Sequence, residues 1–357
     1  MNLNEIETTS HSRLGVFEKC GKMYEFQYIK KEAVFENADH FIIGEICHGT
    51  LEDYYNDVYK TVDEALANRW QAWLAERNLI PLLGELQDYA RDVQHLYRRA
   101  SASYTGKDKI RKRDGSVADN PQLTTDWKRS VEELQLGDRA HNIDLAGVTT
   151  LGPSHASVSL SNCYSETLEI MRDYREPSAL QSVDWLEFPI SHRVRENNEV
   201  KDLWNPVKLP RTGVYLNGYI DLVGRMREEH GGGVVLLDHK TTQGGPPSDL
   251  EVSHHEQLLK YAWAWHQLTG EWPTHIGVNH LRSKSAVIVS LDPEEALAAI
   301  DRTEQLIEAQ RLGNYIKKDP FAYGSPCIRM RDHQVERHCP YLAKCHPSVA
   351  KKLGLEV

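Results

Sequence analysis

The spacing of apolar and polar positions divides the chain into a helical first part, a polar stretch and a strand-rich second part. Residues 13–60 predict a helix, a short extended stretch at the apolar FIIGE (41–45), then a helix over CHGTLEDYYNDVY. Between 62 and 104, apolar residues recur about every four positions among Ala, Leu, Arg and Glu, which predicts two helices split near Pro81. Residues 105–150 hold TGKDKIRKRDGSVADNPQLTTDWKR, polar and rich in breakers, and are expected to form an exposed insertion or loop. Its basic run (Lys107, Lys109, Arg111, Lys112, Arg113) fits a solvated loop or one that touches phosphates. Helical spacing returns over 163–176.

Beyond residue 180 the period shortens to two. SVDWLEFPISHRV (182–194) and TGVYLNGYIDLVGRM (212–226) alternate as half-buried strands do. GGGVVLLDHKTT (231–242) opens on a glycine turn and runs through four apolar residues, the pattern of a strand buried on both faces inside a sheet. REEHGGG reads as the hairpin connection before it. A helix is expected over 249–269, two more strands within 275–291, and a long amphipathic helix from Pro293, whose proline and acids suit a helix start. The predicted fold is α/β: a mixed central sheet flanked by helices. A helical N-terminal part (1–179) precedes the core (180–319), and a cysteine-rich tail (320–357) packs with the N-terminus. No internal repeat and no GxxxxGK[ST] phosphate loop occurs, which argues against a nucleotide-driven motor.

Composition narrows the function. With 357 residues, 40% hydrophobic and 26% charged, the chain has the make-up of a globular protein. No apolar run approaches the ~20 residues of a membrane span. The start, MNLNEIETTSHSR, lacks the basic and apolar regions of a secretory signal, so a cytoplasmic location is expected, in a bacterium or a phage-infected host. A net charge of −10 argues against coating nucleic acid by bulk positive charge. It is compatible with clustered carboxylates that hold a divalent metal.

The candidate chemistry centres on Asp221, Asp238 and Lys240. Residues two apart on a strand share a face, so Asp238 and Lys240 project together, and Asp221 reaches the same place if the hairpin pairs. Two carboxylates suit Mg²⁺ or Mn²⁺, which would polarise a phosphate and acidify water, while a lysine stabilises charge on phosphate oxygens. Alone, Asp-x-Lys would read as a surface ion pair.

Four segments in order, GEICHGTLE, NGYIDLVGR, VVLLDHKTT and QLLKYAWAW, resemble the PD-(D/E)XK nuclease superfamily. They look most like its RecB-type and CRISPR-associated adaptation branch. The resemblance covers about 13–60 and 180–350. It implies that His48, Asp221, Asp238 and the main-chain carbonyl of His239 ligate Mg²⁺ or Mn²⁺, and that Lys240 assists the attack. It further implies that Gln257 and Tyr261, four apart on one helix face, border the site and the DNA, and that Glu187 matches an upstream acidic residue. The simpler readings are His48 paired with Glu52, Glu187 as an outward strand residue, and Tyr261, Trp263 and Trp265 as core aromatics; for the two tryptophans the core is expected. The activity implied is exonucleolytic cleavage of single-stranded DNA ends in recombination, repair or phage DNA processing, by a monomer or a homo-oligomer. The rival readings are a nucleic-acid binder that has lost catalysis and a structural zinc protein.

Six cysteines remain, three of them within residues 327–345. The branch carries one N-terminal and three C-terminal cysteines around a [4Fe–4S] cluster, which implies Cys20, Cys327, Cys339 and Cys345 as ligands. The pattern departs in one place: Glu336 stands where a cysteine is usual, and Cys327 lies farther back. Zinc, with His333, His338 or His346 nearby, and unligated thiols are the alternatives. Cys47 and Cys163 read as small apolar residues.

Overall fold

A computed structural model describes residues 6–32, 39–88, 90–91, 148–150, 157–196, 199–322, 324–331 and 334–354. The chain forms two compact units, one from 1–36 and 175–357, the other from 37–174. Helix α1 (His11–Lys19) opens the first unit, capped by Ser10, whose Oγ accepts from the Arg13 N–H at 3.2 Å.

The second unit is built on α2 (Asp39–Tyr55), α3 (Val62–Glu76) and α4 (Leu160–Met171). FIIGE, expected to be extended, lies inside α2. A short apolar run cannot tell strand from helix, and here Ile42, Ile43, Ile46, Cys47 and Leu51 bury together only at helical spacing. A mid-helix glycine such as Gly44 costs about 0.5–1 kcal/mol, less than burying several aliphatic side chains returns. Trp70 is fully buried, and its indole N–H donates to the Thr167 hydroxyl at 2.8 Å, tying α3 to α4. After α3 a tight turn at Ile80–Leu82 holds Pro81, the position expected to split the helices. Of the polar stretch, Val148–Thr150 pairs with Ser157–Ser159, and the basic run lies outside the described residues.

The first unit contains the sheet. Its strands are β1 (Leu180–Ile190), β2 (Gly218–Met226), β3 (Val234–Lys240), β4 (His275–His280) and β5 (Ser285–Ser290), in spatial order β5-β4-β3-β2-β1. β3 and β4 run parallel and the other neighbours antiparallel, so the sheet is mixed. β3 is central, and Val235, Leu236 and Leu237 are wholly buried, as the unbroken apolar run requires. The β2–β3 turn passes through Gly231, Gly232 and Gly233, all at positive φ, a backbone that side chains with a Cβ resist.

Where one helix was expected over 249–269 there are two, α5 (Asp249–Ser253) and α6 (Glu256–Thr269), parted at His254 and His255. With α7 (Pro293–Arg311) they cover one face of the sheet. Leu258, Leu259 and Ala262 of α6 and Ala296, Ala299 and Ile300 of α7 share a core with Leu236, Ile276 and Val278. Trp263 is buried in that core and Trp265 packs against it. The tail forms a hairpin, β6 (Ile328–Arg331) and β7 (Gln334–His338), then α8 (Leu342–Cys345) and α9 (Pro347–Lys352). It packs on the N-terminal segment: Tyr341 stacks on Phe26 with ring centroids 4.9 Å apart and donates its hydroxyl to the Glu32 carbonyl at 2.7 Å. No helix among the described residues is long and apolar enough to cross a membrane.

Candidate active site

The β2–β3 ladder runs from Arg225 opposite Val234 to Leu222 opposite Leu237 and stops there. The next residue on each strand is an aspartate, Asp221 and Asp238. The strands fork at this point, and the backbone N–H of His239 donates to the Asp221 carboxylate at 2.7 Å. Both acids are buried, Asp238 at 2% exposure and Asp221 at 9%. Two buried carboxylates at the mouth of a fork would be costly without cationic company. Part of it is Lys240, whose Nζ lies 2.6 Å from Asp238 Oδ2. Asp238 and Lys240 share a face, as the period of two requires.

Helix α6 supports the lysine. Gln257 accepts from Lys240 Nζ at 3.3 Å and turns its amide N–H toward the Tyr261 hydroxyl at 3.5 Å. Burial pushes the Tyr261 phenol up from its ordinary value, and the nearby Asp221 adds to the shift, so Tyr261 is a neutral donor at any physiological pH. A Cβ on Gly218 would stand 2.6 Å from the Tyr261 hydroxyl, so the glycine opening β2 makes room for that ring. Alternation along NGYID does not assign Gly218 this task; a glycine beginning a strand, with an aromatic expected on the facing helix, is the signal that could have found it.

Glu187 sits in β1 between Leu186, opposite Leu222, and Phe188, opposite Ile220, which places it across from Asp221. Carboxylate oxygens of Glu187 and Asp221 lie within 4.8 Å of each other. Its φ is +46°, a left-handed conformation uncommon for glutamate in a strand. Simple alternation would not place it so, and sparsely populated backbone concentrates at functional sites. His48 lies on α2 of the other unit, half-buried, in the turn after Ile46 and Cys47.

The thiols fall into two sets. Cys20, Cys327 and Cys339 are buried and Cys345 half-buried, all in the first unit. The Cys339 N–H donates to the Cys327 carbonyl at 2.8 Å, and Cys339 and Cys345 pack against Phe26 and Tyr341. Burial first, then the neighbouring Cys327, Cys20 and Cys345, push the Cys339 thiol up to about 12. Cys345 is raised by burial and then by Cys20 and Cys327. The four sulfurs therefore sit near enough to repel one another as thiolates, a clustering that a cationic metal group would relieve. Among the described residues, no three of these thiols or adjacent imidazoles all lie within 4.8 Å of one another. Cys47 and Cys163 are fully buried in the other unit, and burial, then Asp39, pushes the Cys163 thiol up to about 12, as suits an inert apolar filler.

Two buried carboxylates at a fork, a lysine beside one of them and a helix that supports the lysine are groups that metal-assisted hydrolysis can use. The sequence model of the PD-(D/E)XK nuclease superfamily matches residues 8–119 and 166–346. The chain belongs to that superfamily and is a metal-dependent nuclease, a phosphodiester hydrolase whose substrate is nucleic acid. No curated protein is similar enough to count as a match.

Proposed function

We propose that the protein is a Mg²⁺- or Mn²⁺-dependent deoxyribonuclease of the RecB-type branch that degrades single-stranded DNA from its ends, in the cytoplasm, during recombination, repair or phage DNA processing. The observation that carries the reading is the fork: Asp221 and Asp238 leave the ladder side by side, with Lys240 2.6 Å from Asp238. The donor set is oxygen-rich and buried, as a hard divalent cation prefers.

Asp221, Asp238 and the His239 carbonyl would hold the ion, Glu187 would add a carboxylate, and His48 is assigned as a further ligand on the family pattern. When bound, the ion supplies Lewis acidity toward the phosphate and lowers the pKa of a coordinated water. The protein's own part is positional. The His239 amide holds Asp221 in place, and Lys240, steered by Gln257 and Asp238, presents its ammonium where negative charge collects in the transition state. Tyr261 keeps its proton and offers a donor beside Asp221.

We further assign Cys20, Cys327, Cys339 and Cys345 to a [4Fe–4S] cluster that fastens the tail to the N-terminal segment. Four thiolates are the usual ligand set of such a cluster. The purified protein should be brown, absorb near 400 nm, and contain iron and sulfide; zinc without iron would reverse the assignment.

The activity test compares wild type with Asp238→Ala on end-labelled linear and covalently closed single-stranded DNA in Mn²⁺. The reading expects the linear strand to be shortened by wild type alone and the closed circle to survive. A cut circle would replace end-directed action with internal cleavage. Equal inactivity of both proteins would leave a nucleic-acid binder of this fold.

A further inference from the structure

The helix that supports Lys240 through Gln257 carries a second lysine, which the acidic fork does not require. Lys260 is buried to 2% exposure on α6, one turn from Gln257 and next to Tyr261. Its Nζ is 3.1 Å from Glu256 and 3.5 Å from Nδ1 of His11, the first residue of α1. Glu256 is in turn gripped by Arg302 through both Nη2 and Nε. Burial pushes Glu256 up, but Lys260 and Arg302 outweigh it and hold the carboxyl below its ordinary value.

A charged ammonium has three donors and no acceptor. Nδ1 of His11 therefore accepts from Lys260, and the imidazole proton is left on Nε2. The ring stays neutral: burial, then Lys260, His255 and Lys240, lower its pKa to about 4, against a small opposing pull from Asp238. Nε2 has no hydrogen-bond partner among the described residues, and the ring is only half-buried. His255, with a pKa lowered chiefly by burial, responds to the same Asp238, Lys240 and Lys260. The groups around His11 thus include two lysines, Lys240 and Lys260, each paired with one acid, Asp238 and Glu256, and the imidazole of His255. The first-turn amides of α1 add partial positive charge at the same end.

We propose that His11 is a substrate-contacting residue, donating its Nε2–H to a non-bridging phosphate oxygen of the nucleic-acid strand held at Asp238 and Lys240, with Lys260 as the positioning residue that fixes the tautomer. The proposal rests on the nuclease reading for the identity of the phosphate, and on the Lys260–His11 geometry for the donor. A neutral imidazole donor keeps its strength across the pH range in which an imidazolium would be lost.

The test uses the full-length, metal-loaded protein. A hydrogen bond from His11 to a charged phosphate oxygen predicts a fall in kcat/KM of about 10- to 100-fold for His11→Ala on linear single-stranded DNA. His11→Gln, which can present an amide N–H in place of Nε2–H, should recover most of it. ¹⁵N NMR of labelled histidine should show His11 as the Nε2–H tautomer, shifting when an oligothymidylate is added in Ca²⁺. Lys260→Met should raise the Nδ1–H fraction of His11 toward that of a free imidazole while the protein stays folded, a change that a merely structural lysine would not produce. Wild-type turnover in His11→Ala, or an Nδ1–H tautomer in the wild type, overturns the proposal. If the wild type proves inactive on DNA, the nuclease reading fails by itself, and the NMR titration still decides whether His11 donates to phosphate. If both His11 variants fail to fold, the same wild-type spectra decide the matter, through the tautomer and its response to the oligonucleotide.

Discussion

The acidic fork and the thiol group occupy the same unit, yet they are assembled in opposite ways. Asp221, Asp238 and Lys240 come from two strands joined by one glycine turn, so a local hairpin register brings them together. Cys20 and Cys345 stand at opposite ends of the chain, and tertiary packing brings them close: Phe26 stacks on Tyr341, and the 316–317 segment contacts Cys20 through the Ile316 carbonyl and Cys345 through Lys317. A site made within one hairpin survives loss of distant contacts; one made by two chain ends depends on them and in return closes a very long loop. The fork should therefore control chemistry with little effect on stability, and the thiols stability with an indirect effect on chemistry.

The sharpest break of that contrast is Asp238→Ala. Activity should fall at least about 1,000-fold, since removing a carboxylate proposed to hold the metal should cost more than losing a single oxyanion donor. Iron content should be unchanged, and melting temperature no lower than the wild type's, because the Lys240 ammonium left without its partner is part-exposed and can be hydrated. An iron-free Asp238→Ala protein would show that the two sites are not independent.

Next comes Cys339→Ser. It should remove the visible absorbance and lower the unfolding free energy by about 3 kcal/mol or more, a large fraction of a typical domain's stability. Activity per folded molecule should persist at low temperature. Urea melts read by circular dichroism, with parallel iron analysis, test this; unchanged stability would remove the clasp from the account.

Gly218→Ala sharpens the picture within the fork. The new methyl must displace the Tyr261 hydroxyl, which a Cβ would meet at 2.6 Å. A drop in kcat of about tenfold is expected, the loss of one donor worth about 1.4 kcal/mol. Tyr261→Phe should match it, and the double variant should add little, in a cycle that isolates the contact.

An effect of similar size concerns acid. His11 titrates near pH 4 in the fold and near its ordinary value when unfolded. Its folded pKa is depressed, so the unfolded chain binds the extra proton first. The stability it carries is whole above about pH 6.5 and is lost as pH falls toward 4, with His255 acting in the same direction. After discounting for its partial exposure, about 1–2 kcal/mol is at stake. His11→Gln should flatten melting temperature against pH in that window; an unchanged slope would assign the acid response elsewhere.

The fork is legible in the sequence because two aspartates and a lysine inherit fixed directions from strand periodicity, and the buried VVLL tells which strand is central. The mixed sheet follows from the same alternation. FIIGE misleads because five apolar-rich residues carry no period of their own, and the burial of Ile42, Ile46 and Leu51 decides for helix. The left-handed turn at Glu187 is beyond reach, since nothing in WLEFPI marks a positive φ. The break at His254 and His255 is equally hidden, because neither residue is a helix breaker. The meeting of Lys260 with His11, 249 positions apart, depends on how α1 docks on α6, a tertiary fact with no local signature.

The parting of β2 and β3 after Leu222 and Leu237 has one more consequence. It frees the His239 amide to bind a carboxylate. Drawing electron density from Asp221 toward a cation should loosen that bond, so the amide proton of His239 becomes a built-in gauge of occupancy. Its chemical shift and solvent-exchange rate, followed during a Mg²⁺ titration, would report loading at the fork without any substrate present.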